Sequence, residues 1–277
     1  MLQVSKGGLA FILVQSAAIF ISGQDIEGIT SPCTANRPCG IALASHNQIT
    51  LRCHNIPEKA NVSWQYLNIF EPHGEPVTFV TSSGPVIGLK QAHLLNVKTQ
   101  LNYRHLTLRN PSVESSGVYT CKVGDNTLAY YEIDFQDAEQ MYVSYADLGE
   151  MVQKETLSDL GNLGKVLMFT VWGEWQPCDR CGRRGERKRV GFCYFEVTKG
   201  NMMTKNPTPC GFLQLQYPDI EVMHRVEVRI EGCEVSCAEL SPLKANTASG
   251  RFVLLDIYHT RLHANIILTC PTSSIYR

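Results

Sequence analysis

Apolar and polar residues alternate in several short runs between residues 45 and 135, among them NQITLRCHN, NVSWQY, HLTLRN and SGVYTCKV. In the second run, Val62, Trp64 and Tyr66 share one face, and polar residues occupy the other. A period of two is typical of a β-strand that is buried on one side only. The pattern therefore predicts an all-β first domain built from short strands with turns between them.

The N-terminal region has a different pattern, a single mostly apolar run of 13 residues over positions 9–21. Lys6 precedes this run, and the small residues Ser22 and Gly23 follow it. A membrane span needs about 20 apolar residues, so the shorter run is typical of a secretory signal peptide. We predict a signal peptide over residues 1–23 and entry into the secretory pathway; the alternative is a buried core helix.

The chain contains eleven cysteines. In a protein that enters the secretory pathway, the expected state of cysteine is the disulfide. Because eleven is an odd number, one cysteine lacks a partner within the chain. Cys33 and Cys39 enclose a short segment, PCTANRPCG, whose proline and glycine favour a turn. We therefore predict a small-loop disulfide between these two residues.

Charge and motifs narrow the classes of function. The formal net charge is −1, which provides no global field to attract nucleic acid, and we expect no nucleic-acid partner. The eight histidines are scattered, and the sequence contains no GxSxG, HExxH or phosphate-loop motif. We predict no catalytic residue and no cofactor; an enzyme remains the alternative class.

The spacing of three residues is more specific than the alternation. Trp64 lies 11 residues after Cys53, Cys121 lies 68 residues after Cys53, and Tyr119 precedes Cys121 by two. Together with the strand pattern, this resembles an immunoglobulin V-type domain, which we place at residues 24–136. The resemblance implies an inter-sheet disulfide between Cys53 and Cys121, a core tryptophan at Trp64 and a tyrosine corner at Tyr119.

Asn61 begins NVS, the one N-glycosylation sequon whose middle residue is not proline. It alternates with the apolar residues of its strand, so it is predicted on the outward face. We expect a glycan at this position.

A second cysteine-rich region follows a polar stretch, residues 137–163, which we interpret as a connector with a helical turn near residues 148–157. Its motif is Trp172-x-x-Trp175-x-x-Cys178-x-x-Cys181-Gly, followed by Arg187-x-Arg189 and Cys193. This resembles a thrombospondin type-1 repeat over residues 164–240. The resemblance implies a ladder of stacked tryptophans and arginines. It also implies three disulfides, namely Cys178–Cys233, Cys181–Cys237 and Cys193–Cys210.

Other interpretations of this region stay open from the residues alone. Four thiolates, from Cys178, Cys181, Cys233 and Cys237, have spacings that suit tetrahedral zinc. The arginines near position 187 are numerous enough to bind a glycosaminoglycan or another anion. By the same resemblance, Trp172 is the candidate for C-mannosylation.

The last region, residues 241–277, resembles the first two strands of another immunoglobulin domain, since NIILTC alternates as QITLRC does around Cys53. On this interpretation Cys270 is the unpaired cysteine of a truncated domain. The whole arrangement, with the segments YEIDFQ, ERKR and SSIYR, resembles the family with sequence similarity 187.

That family resemblance implies a single-pass type I membrane protein, although no span is present in this sequence. The predicted function is non-catalytic recognition or adhesion at the cell surface or in secreted form, with another extracellular protein or a glycan as partner. The alternative is a non-functional, truncated form retained in the endoplasmic reticulum.

Overall fold

The computed structural model describes residues 24–25, 33–71, 74–86, 99–102, 104–160, 164–199, 202–203, 207–217, 220, 222 and 225–237. The predicted signal peptide over 1–23, the predicted second immunoglobulin domain over 241–277 and its Cys270 lie outside these residues. Within the described ranges, no helix is long and apolar enough to cross a lipid bilayer.

The first module is a sandwich of two β-sheets. Its strands are β1 (Gln24–Asp25), β2 (Cys39–Ala44), β3 (Ile49–Leu51), β4 (Ser63–Asn68), β5 (Val77–Thr81), β6 (Gly84–Pro85), β7 (Thr99–Asn102), β8 (His105–Leu108), β9 (Gly117–Val123) and β10 (Asn126–Gln136). One sheet has the order β1-β3-β8-β7 and the other β2-β10-β9-β4-β5-β6. Strand β2 runs parallel to β10, and both β4 and β10 are antiparallel to β9. The predicted all-β immunoglobulin V-type sandwich is confirmed.

The alternation of the sequence explains the core of this sandwich. Trp64 and Tyr119 are completely buried between the sheets, next to the disulfide that joins Cys53 to Cys121. The indole Nε1 of Trp64 donates to the backbone oxygen of Arg104 over 3.2 Å, so its polar atom is satisfied. The hydroxyl of Tyr119 donates to the backbone oxygen of Ser115 over 2.6 Å, which is the geometry of a tyrosine corner.

A close approach inside the core depends on a glycine. A Cβ atom at Gly117 would lie 2.3 Å from the ring of Tyr66 and 2.4 Å from the backbone oxygen of Leu67. Strands β4 and β9 are hydrogen-bonded neighbours at this point. Only a residue without a side chain lets them pair there while the Tyr66 ring stays buried.

The second module is one further sheet. Its elements are β11 (Tyr142–Tyr145), β12 (Thr156–Asp159), β13 (Lys165–Trp172), β14 (Gly185–Lys199), β15 (Met202–Met203), β16 (Thr208–Pro209), the six-residue helix α1 (Gly211–Gln216) and β17 (Glu227–Cys233). The order is β11-β17-β14-β13-β12, and β15 and β16 also pair with β14. The long strand β14 is the spine of the sheet, because its first half pairs with β17 and its second half with β13.

Residues 137–163, predicted as a connector, contribute both edge strands of this sheet. Strand β11 pairs with β17, and β12 pairs with β13. The predicted helical turn near residues 148–157 is not found; a single 3-10 turn covers Ala146–Leu148 instead. Each of these edge strands has only four residues and a single neighbour in the sheet, so it leaves no strong alternation to detect.

Candidate functional site

A ladder of two tryptophans and two arginines lies on one face of the second module. The Arg189 guanidinium lies over the ring of Trp172 at 4.6 Å and over the ring of Trp175 at 4.5 Å. The guanidinium of Arg187 also lies over the ring of Trp175, 4.9 Å from the ring centre. Arg187 and Arg189 share a face of β14 because they are two residues apart. We call these four residues the Trp–Arg ladder.

Cation–π contacts of this kind contribute about 0.5–2 kcal/mol each, depending on how far the cation is desolvated. Burial lowers the pKa of the Arg189 guanidinium, and the nearby positive charge of Arg229 lowers it further. Arginine nevertheless stays charged at any physiological pH. The ladder therefore holds a permanent cation between two indole rings.

Three arginines of this region also have ion-pair partners inside the protein. Arg187 forms an ion pair with Glu231 on β17, and Arg184 pairs with Asp147 over 3.3 Å. Arg180 pairs with its neighbour Asp179, also over 3.3 Å. These internal pairs reduce the charge that the run can offer to a glycosaminoglycan, so the solvent-facing anion site left open by the sequence is weakened.

All ten cysteines of the described chain occur in disulfides. The pairs are Cys33–Cys39, Cys53–Cys121, Cys178–Cys233, Cys181–Cys237 and Cys193–Cys210. These are the pairs that the small loop and the two family resemblances imply. The four cysteines considered for zinc lie in two of the disulfides, and no group of three metal-ligating side chains occurs among the described residues.

The predicted modification sites are both placed in the structure. Asn61 is exposed immediately before β4, and the next residue, Val62, is buried. Trp172, at the end of β13, is half-buried beneath Arg189. Glycosylation of either residue stays a prediction.

The sequence analysis does not predict an extensive contact between the two modules, which we call the module interface. Its apolar part joins the outward side of β4 and β9 to the second module. The buried members are Ile69, Val118, Val166, Met168, Cys193, Phe195, Cys210, Phe212 and Leu213. Leu67 and Tyr130, which point away from the sandwich core, pack against this cluster. One face of the V-type sheet is therefore covered by the second module.

The polar part of the module interface is built on the outward side of β10. The side-chain amide of Gln136 donates to the backbone oxygen of Cys193 and accepts from its N–H, both over 2.9 Å. It thus imitates the paired hydrogen bonds of a neighbouring β-strand. Asp134 accepts the N–H of Gly211 over 2.9 Å, at the start of α1. The hydroxyl of Tyr194 accepts the N–H of Ala42 on the free edge of β2.

Two glycines allow the modules to come this close. A Cβ atom at Gly211 would lie 2.2 Å from Oδ1 of Asp134, which is closer than any real contact. A Cβ atom at Gly40 would lie 3.1 Å from the ring of Pro209. A signal for this interface does exist in the sequence, because Leu67, Val118 and Tyr130 are apolar on a face that alternation assigns to solvent.

No family model matches the chain. Three proteins named "Ig-like V-type domain-containing protein FAM187A" are similar to it. The mouse (Mus musculus) protein is 28% identical over 255 residues, which are 80% of this chain and 58% of the relative. The rat (Rattus norvegicus) protein is 26% identical over 252 residues, covering 80% and 57%. The bovine (Bos taurus) protein is 42% identical over 183 residues, covering 57% and 41%. The chain thus spans about half the length of the curated relatives it matches.

Among solved structures, the chain is similar to the extracellular domain of the voltage-gated sodium channel beta4 subunit, described as a parallel homodimer with a role in cell-cell adhesion. The TM-score is 0.28 and the identity 17%, covering 39% of this chain and 92% of that one. The segments YEIDFQ, ERKR and SSIYR predict the B member of that family; the three relatives are A members, so this stays a prediction. The relatives support the predicted resemblance to the family with sequence similarity 187, because the proteins that match this chain are FAM187 proteins that carry an Ig-like V-type domain.

Proposed function

We propose that the protein is a non-catalytic recognition protein of the secretory pathway, exposed at the cell surface or secreted, whose partner is another extracellular protein or a glycan. The observation that carries this proposal is the module interface. It joins a V-type sandwich to a disulfide-rich module through an apolar cluster and direct hydrogen bonds. Such an arrangement supplies a rigid scaffold, and a rigid scaffold that presents loops is how binding modules of this kind work.

The module interface also limits where a partner can bind. The outward side of β4, β9 and β10 is occupied by the second module, so the partner uses another surface. The loop after β11 is the candidate, because Leu148 and Met151 are 60% and 66% exposed. Large apolar side chains that remain exposed on a defined loop are candidates for contact with another protein.

This loop is held in place by its neighbours. Asp147 accepts the N–H of Gly232 over 3.0 Å and pairs with Arg184. Gly149 ends the 3-10 turn with a φ of 72°, a left-handed conformation that suits glycine. A loop that is already ordered loses less conformational entropy when a partner binds, which favours affinity.

The test begins with expression of the chain in secretory cells and recovery of the medium. The purified protein is applied to an array of extracellular domains and of sulfated and unsulfated glycans. We expect a wild-type signal that Leu148→Asp/Met151→Asp abolishes. The matched control is Leu157→Asp, which changes an equally exposed leucine on β12 and should keep the signal.

Two results would count against the proposal. One is the absence of any signal for the wild type on both parts of the array. The other is retention of the chain as intracellular disulfide-linked aggregates that Cys270→Ser releases, which favours the truncated, non-functional form.

A further inference from the structure

The module interface contains a buried carboxylate without a cation. Asp134 is 4% exposed. Its Oδ2 atom accepts from the N–H of Gly211 and from the side-chain amide of Gln136, each over 2.9 Å. Both donors are neutral, and within the described chain Asp134 makes no ion pair. Removing an unpaired carboxylate from water is costly even when hydrogen bonds partly compensate.

A second carboxylate lies two residues away on the same face of β10. Glu132 is half-buried, and its Oε2 lies 3.7 Å from the position that a Cβ of Gly40 would take on β2. It likewise forms no ion pair with any described residue. The module interface therefore brings two acidic side chains of one strand under the second module.

The elements that cover these carboxylates bring no cation towards them. Strand β2 reads CGIALA, β16 reads TP and α1 reads GFLQLQ, and none contains an ionisable side chain apart from the bonded Cys39. The ionisable side chains at the module interface include the phenols of Tyr130, Tyr194 and Tyr217, and a phenol carries no positive charge.

Among the described residues, the charged groups of the neighbouring elements form no ion pair with Asp134 or Glu132. On β9, Lys122 is paired with Thr127, five residues along β10 from Glu132 and about 17 Å away at the usual rise per residue. On β14, Arg189 is held in the Trp–Arg ladder, and Glu196 has the strand parity opposite to Cys193. Just after β10, Oε1 of Glu139 lies 3.5 Å from Nε2 of His46.

We propose that Asp134 and Glu132 form a pH-dependent latch between the modules, which is tightest when both carboxyls are protonated and loosens as they release their protons to solvent. This goes beyond the recognition function, and it does not depend on which partner is bound. Loosening would uncover the apolar cluster around Val118, Phe212 and Leu213, so the covered V-type face becomes available only in the open state.

The direction of the pH effect follows from burial. Burial raises the pKa of Asp134 and of Glu132, although hydrogen bonds from Gln136 and Gly211 act in the opposite direction at Asp134. A carboxyl whose pKa is raised by closure favours the closed state fully at low pH. That contribution is lost as the pH rises through the raised pKa. We therefore expect the latch to be tighter at lower pH and looser at higher pH.

Amide hydrogen exchange of the full secreted chain tests the latch directly, because the N–H groups of Gly211 and Cys193 are donors across the module interface. Exchange is measured from about pH 5 to about pH 8 and corrected for intrinsic rates. We expect severalfold less protection at the higher pH in segments 191–195 and 210–213. Segment 105–108, in the other sheet of the V-type sandwich, serves as an internal reference that should change much less.

Two variants and a control make the result specific. Asp134→Asn/Glu132→Gln should keep the low-pH protection across the whole range, whereas Glu75→Gln, an exposed carboxylate on the first module, should behave as wild type. If the double variant does not fold, Glu132→Gln alone should reduce the pH dependence. Equal protection at all pH values in wild type, or an unchanged pH dependence in the folded variants, overturns the latch.

Discussion

The two modules obtain their stability in different ways. The first module buries a continuous core between two sheets, in which Trp64, Tyr66 and Tyr119 are each completely inaccessible to solvent. The second module has a single main sheet, and its tryptophans are only half-buried against arginines. It is cross-linked by three disulfides, whereas one disulfide joins the two sheets of the first.

The difference shows how a thin module becomes stable beside a thick one. A sheet with little apolar area to bury needs cross-links and stacked side chains to compensate for its lost conformational entropy. The second module also buries apolar side chains against the first, because Phe195, Phe212 and Leu213 pack on the outer face of the V-type sheet. We expect the first module to depend on its own core and the second to depend on its ladder, its disulfides and its neighbour.

The largest expected effect comes from removing the tryptophan of the first core. Trp64→Ala leaves a cavity next to the disulfide between Cys53 and Cys121, and such substitutions cost about 3–5 kcal/mol. That is a large part of the total stability of an ordinary domain. Chemical denaturation followed by circular dichroism should give a much lower midpoint than that of wild type. A loss below about 1 kcal/mol would contradict the contrast between the two modules.

A smaller effect is expected from a glycine at the module interface. Gly211→Ala places a methyl group against Oδ1 of Asp134, and overpacking of this kind costs about 1–3 kcal/mol. The modules should separate while the core around Trp64 stays intact, so limited proteolysis should cut near α1 and small-angle scattering should detect a larger radius. Gly173→Ala is the control, because its added methyl meets only one backbone oxygen, at 3.3 Å. An unchanged proteolysis pattern for Gly211→Ala would mean that the modules do not rely on this contact.

The sequence predicts the inside of each module better than the contact between them. The alternation around Trp64 and the positions of Cys53, Cys121 and Tyr119 are enough for the V-type sandwich, because a period of two and a fixed spacing are local properties. The arginines and tryptophans of the ladder come from a resemblance, and strand parity alone does not show that Arg189 lies between two rings.

The module interface is not predictable in the same way. Parity assigns Asp134 and Gln136 to the outward face of β10, where polar residues are ordinarily read as solvated. What covers an outward face depends on a segment about 60 residues away, around Cys193. The apolar residues Leu67, Val118 and Tyr130 indicate that this face is covered, but they do not indicate which segment covers it. The two edge strands in residues 137–163 are hard to predict for a related reason, since a strand of four residues is too short for its alternation to distinguish it from a linker.

The smallest expected effect concerns one step of the Trp–Arg ladder. Arg187→Ala removes the cation from the ring of Trp175 and leaves Glu231 without its ion-pair partner. Because both groups are partly exposed, we expect a cost of only about 0.5–2 kcal/mol, confined to the second module. Limited proteolysis should cut residues 172–190 faster than in wild type and leave the first module resistant.

Arg187→Lys separates the two contributions at this position. Lysine keeps a positive charge for Glu231 but replaces the planar guanidinium that stacks on the indole. If stacking stabilises the ladder, the lysine variant should be cut nearly as fast as the alanine variant. If the ion pair with Glu231 is the main contribution, lysine should restore most of the resistance to proteolysis. The second module would then be stabilised by charge at this position and not by the stacking that we infer. Wild-type resistance in both variants would mean that the three disulfides hold this module without the ladder, and the contrast with the first module would rest on cross-links alone.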